Sequence, residues 1–139
     1  MSDTARAPLT GNPRVGVRKT PTLASIVAAT TTTMLYQITP ARTAIIRKMW
    51  AINRNVASAR LRIGSTDSAT GGVGGVFTQR LPEILLLSGQ DVEFGENDLP
   101  GYEFRRLEAV NTDIVAQSPQ GAAAPNDVQI MVEVEEFEL

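Results

Sequence analysis

The sequence predicts an all-β protein: an antiparallel β-sandwich of jelly-roll or Greek-key type, preceded by an extended N-terminal arm. Three observations predict it. Apolar and polar residues alternate with a period of two in short segments, turn-forming residues separate those segments at close intervals, and no stretch sustains a helical period. At 139 residues the chain fits one domain, and 42% apolar with 20% charged residues is a globular composition.

The arm is read over residues 1–32 and the sandwich over residues 33–139. Pro8, Pro13 and Pro21, with Gly11 and Gly16 between them, oppose both helix and paired strand, because proline removes donors and glycine adds backbone freedom. Arg6, Arg14, Arg18 and Lys19 face only one acid there, Asp3. Such a segment is either a disordered tail or an arm that orders on a partner. Leu23, Ile26 and Val27 have the spacing of one helical turn, but the four threonines Thr30 to Thr33 favour extended chain.

From residue 33 the strand signals are frequent. Strands are predicted at about 33–39, 43–53, 58–64, 76–81, 83–88, 90–94, 102–108, 112–118 and 127–138. Turn chemistry lies between them: Thr39-Pro40, Asn53-Arg54-Asn55, the glycine run 71–75, Ser88-Gly89, Asn97 to Gly101, and Ser118-Pro119-Gln120-Gly121. The alternation is clean in Arg60-Leu61-Arg62-Ile63. It is clean again where Val128, Ile130, Val132 and Val134 share one face. After Glu135 the pattern slips, with Phe137 and Leu139 apolar, which predicts a bulge or a docked tail. Ala44-Ile45-Ile46 and Ile84 to Leu87 are apolar on both faces, so one face needs cover from the arm, a loop or another subunit.

The composition argues against an enzyme. There is no histidine and no cysteine, which removes the commonest general base, thiol nucleophiles, thiolate metal sites and disulfides. No run of about 18 apolar residues could span a bilayer, and the N-terminus lacks a signal-peptide core, so synthesis and use in a cytosol are expected, with no membrane partner. The glycine run 71–75 is followed by Val76-Phe77-Thr78-Gln79 rather than the Lys-Ser/Thr of a phosphate loop, and reads as a flexible connection. Asp91, Glu93, Glu96 and Asp98 lack calcium-loop spacing and read as a solvated strand end; no metal and no cofactor are expected. Glu133, Glu135, Glu136 and Glu138 read as a charged edge. Paired carboxylates for glycoside hydrolysis remain open on sequence, although Trp50 is the only tryptophan and is expected in the core.

Charge changes sign along the chain. Residues 1–62 hold ten basic side chains and one acid, residues 63–139 three basic side chains and fourteen acids. Either strands from the two halves pair internally, or a basic arm of one copy meets an acidic surface of the next. Basic residues without interleaved aromatics, and a pI near 5.1, argue against nucleic acid.

The stretches Ile38 to Lys48, with its Thr39-Pro40-Ala41 turn, Ala51-Ile52-Asn53-Arg54, Arg60 to Gly64 and Leu87 to Phe94 together resemble small virion proteins of tailed bacteriophages. The resemblance covers roughly residues 33–118. It implies a β-sandwich on a particle, of the capsid decoration (cement) type, often trimeric, with arms that clasp neighbouring capsid subunits. It brings no catalytic residues.

The expected function is therefore a viral structural protein found in the virion and assembled in the host cytoplasm. It would bind the major capsid protein or other virion subunits and form a homo-oligomer, a trimer being favoured. The expected partner-binding residues are Arg14, Arg18, Lys19, Leu23, Ile26 and Val27. The alternatives are a receptor- or carbohydrate-binding accessory module of a phage tail, and a carboxylate- or metal-dependent hydrolase using Asp91 or Glu93.

Overall fold

A computed structural model describes residues 15–29, 31–68, 75–106 and 111–138. The described residues form eleven strands: β1 (Val17–Arg18), β2 (Thr22–Ile26), β3 (Thr33–Gln37), β4 (Arg42–Asn53), β5 (Ala59–Ser68), β6 (Val76–Gln79), β7 (Ile84–Leu86), β8 (Asp91–Phe94), β9 (Glu103–Arg106), β10 (Asn111–Gln117) and β11 (Val128–Glu138). A single 3-10 turn, Glu96–Asp98, is the only helical element among the described residues.

All pairings are antiparallel, and they nest. β1 and β2 pair with β11, β3 with β10, β4 with β8 and β9, and β5 with β6 and β7. A ribbon of nested hairpins rolled on itself gives two sheets. Sheet 1 runs β1/β2–β11–β4–β8/β9; sheet 2 runs β3–β10–β5–β6, with β7 also on β5. This is jelly-roll strand order, and it confirms the all-β sandwich that the period-two alternation predicts.

The two sheets bury one core. Ile26, Leu35, Met49, Leu61, Ile63, Phe104, Ile114, Val128 and Ile130 are among its enclosed members. Removing such side chains from water stabilises by about 1.5–3 kcal/mol each. Gly64 is required where β6 crosses: a Cβ there would stand 2.0 Å from the Thr78 carbonyl oxygen.

Two predictions are corrected. The expected slip after Glu135 does not occur: Val128, Ile130, Val132, Val134 and Glu136 all stay on the buried face of β11. The irregularity lies in the partner strand. Glu133 pairs with Lys48 and Val134 with Ile46, so Arg47 is the extra residue of a bulge in β4. The reading that Pro13, Gly16 and Pro21 oppose paired strand is also corrected. Residues 17–18 and 22–26 are strands of sheet 1, bonded to β11, and Lys19 N donates to the Val134 carbonyl at 2.8 Å. Pro21 permits this because β2 lies at a sheet edge, where proline is tolerated. Residues 1–14, most of the 71–75 glycine run, residues 107–110 and Leu139 lie outside the described residues.

Candidate functional surfaces

The acidic strand β11 and the basic first half meet within the chain. Arg18 reaches Glu96 at 2.7 Å, Glu135 at 3.7 Å and Glu133 at 3.8 Å. Arg47 reaches Glu135 at 2.7 Å and lies 5.7 Å from the Phe137 ring centroid. Arg54 pairs with Asp127 at 3.1 Å and Arg62 with Glu83 at 2.6 Å. Internal pairing across strands therefore accounts for much of the charge reversal.

Glu136 is the innermost of these acids. It is fully buried, yet three donors satisfy it: Tyr36 Oη at 2.6 Å, Thr39 N at 2.9 Å and Thr39 Oγ1 at 2.8 Å. Lys19 Nζ stands 3.6 Å away. Burial pulls this carboxyl upward, but the bonds from Tyr36 and Thr39 and the Lys19 charge outweigh it and hold it below its ordinary value. Burial, the bond to Glu136 and that carboxylate's charge push the Tyr36 hydroxyl up. The cluster ties the segment before β2, strand β3 and the β3–β4 turn to β11. It is a structural clamp around a buried carboxylate, with Lys19 at its partly exposed rim.

The residues predicted to bind a partner are dispersed by the fold. Ile26 is a core residue, so its own chain already occupies it. Arg18 and Lys19 are engaged with β11 acids. Leu23 and Val27 are exposed, at 56% and 47%. Arg14 lies outside the described residues.

Two surfaces outside the predicted partner-binding residues are open. The first is the outer face of sheet 1. Because of the Arg47 bulge, Met49, Ala51 and Asn53 turn inward, whereas Trp50 and Ile52 turn outward. Trp50 stands beside Met131, with Leu23 one strand further, on one side and Glu93 on the other, and Ile52 stands beside Asp91. Trp50, Ile52, Asp91, Val92 and Glu93 line a cleft of about 340 Å³. Strict alternation from Ala44 and Ile46 places Trp50 in the core; the structure corrects this, since one bulge reverses every face after it.

The second surface is a loop end of the sandwich. Asn53, fully buried, donates from Nδ2 to the carbonyls of Ala57, Leu86 and Leu87, and accepts from Asn55 N. Ser88 donates to the Asn55 carbonyl, and Asn55 Nδ2 to that of Gln120. The connections after β4, β7 and β10 are thus held together by side-chain amides. On this end Val56, Leu85 and Leu87 are 84%, 61% and 58% exposed. The Ile84–Leu87 run, apolar on both faces, does leave one face uncovered.

Among the described residues no three carboxylates gather into a metal site; Asp91 and Glu93 lie on β8, and Asp98 accepts from Gly95 N at 2.9 Å. No helix among them is long and apolar enough to cross a membrane. No protein family, curated protein sequence or solved structure matches the chain, so its own geometry carries the functional reading.

Proposed function

We propose that the chain is a structural protein of a virus particle, a capsid decoration protein that stabilises the shell through protein–protein contacts. The observation that carries this reading is the loop end: large apolar residues, Val56, Leu85 and Leu87, stand in solvent on a backbone tied down by Asn53 and Asn55. Exposed apolar side chains on a pre-ordered backbone suit a packing contact, because little entropy is lost when a partner covers them. A jelly roll supplies the rigid body. The partners under this reading are the major capsid protein or another virion subunit, and further copies of the chain.

The test is particle occupancy. Particles purified from cells carrying the gene are expected to contain the chain at a fixed ratio to the shell protein. Leu85→Glu with Leu87→Glu should lower that ratio while leaving the circular dichroism and the melting temperature of the free protein unchanged. Particles without the chain, or unchanged occupancy in the double variant, would overturn the reading.

The second reading, a carbohydrate- or receptor-binding accessory module, is favoured by one observation: the outward placement of Trp50 beside polar groups of β8. Retention of the purified chain on immobilised glycans, lost in Trp50→Ala, separates it from the first.

A further inference from the structure

Most acids of β11 have a cation of their own chain, but Asp91 and Glu93 have none among the described residues. Among the described residues neither carboxylate carries a hydrogen bond or ion pair, and neither does the Trp50 indole. All three line one cleft, with Glu93 directly across from Trp50 in the β4–β8 pairing. An indole and two carboxylates lining one cleft are chemistry for a cation. The ring quadrupole attracts the charge, and the carboxylates accept its N–H groups.

The chain carries candidate cations. Of the four basic residues before β2, Arg18 and Lys19 are engaged in-chain, which leaves Arg6 and Arg14. The described strands set where the N-terminal segment begins relative to the cleft. β2 pairs with Val132 to Val128 and β1 with Glu136 and Glu135, so the backbone, followed toward its N-terminus, moves from the Met131 row toward the C-terminal end of β11. Five residues of strand separate the Met131 row from the Glu136 row, roughly 17 Å at ~3.3 Å per residue. The cleft also lies on the opposite edge of sheet 1, on β8. Val17, in the first described strand, thus stands away from its own cleft on both axes.

We propose that the Trp50–Asp91–Glu93 cleft receives an arginine, Arg6 or Arg14, from the N-terminal segment of a second copy of this chain. Each copy gives a segment and receives one, so the contact is heterologous and closes into a ring where the rotation permits. This self-association does not depend on the virion reading and would hold if that reading failed.

Sedimentation of the full chain over a range of concentrations tests it, with Trp50, the sole tryptophan, as a fluorescent reporter inside the cleft. The wild type should self-associate, less so at high salt. Arg6→Glu with Arg14→Glu, and separately Asp91→Arg with Glu93→Arg, should each weaken association by about tenfold or more. Mixing the two variants should restore a hetero-oligomer, since the reversed charges again complement each other. A synthetic peptide of residues 1–14 should shift Trp50 fluorescence in the full chain and compete with association. A monomeric wild type, variants that associate as the wild type does, or a mixture that stays apart would overturn the proposal. So would a concentration-independent Trp50 change on altering Arg6 and Arg14, which marks docking within one chain, or a response to maltohexaose without one to the peptide.

Discussion

Two acidic regions of sheet 1 have opposite fates. At the C-terminal end of β11, Glu133, Glu135 and Glu136 meet Arg18, Lys19, Arg47, Tyr36 and Thr39. On β8, Asp91 and Glu93 line the Trp50 cleft with no cation among the described residues. The two regions share a sheet and a charge sign, so acidity alone does not separate them. The difference is whether the described residues supply a counter-charge. Where they do, the acids hold the fold together; where they do not, the acids remain available to something else.

The sharpest way to break the first region is Glu136→Ala. It would leave the Tyr36 hydroxyl, the Thr39 donors and Lys19 without their acceptor in a buried setting, and a loss of about 3–5 kcal/mol is expected from urea unfolding. Glu136→Gln keeps an acceptor and should lose less.

The same clamp predicts a pH dependence. A carboxyl held below its ordinary value stabilises the fold above the unfolded-state value, and this contribution is lost as pH falls through the folded-state value. The wild-type urea midpoint should therefore fall on acidification from the ordinary glutamate range downward. In Glu136→Gln that fall should be shallower; parallel curves would show that another group carries it.

Smaller effects are expected outward. Arg47→Ala removes a partly exposed pair with Glu135 and the Phe137 stacking contact, for about 1 kcal/mol or less, reduced by added salt. Smallest of all, Asp91→Asn with Glu93→Gln should move stability by no more than ~0.5 kcal/mol, because nothing in the fold uses those charges. A large loss there would erase the contrast between the two regions.

Much of the architecture was legible in the residues. The nine strands predicted from residue 33 onward overlap the nine observed there, from β3 to β11, because period-two alternation and turn residues such as Ser88-Gly89 act locally. β1 and β2 were not legible. Pro13, Gly16 and Pro21 read as breakers, and only the free outer side of β2 makes Pro21 acceptable. Of the two open surfaces, the uncovered side of Ile84 to Leu87 could be read from its double-faced apolar run. The Asn53 hub could not, because its acceptors lie on segments far apart in sequence.

The sequence by itself determined that this chain builds sheets, that a core of alternating apolar residues closes them, and that basic and acidic halves must meet somewhere. Only the tertiary structure decided which charges meet and which way Trp50 points. The physical reason in both cases is register. The pairing of β1 and β2 with β11 brings Arg18 and Lys19 to their acids, and one extra residue at Arg47 turns Trp50 from the interior to the surface.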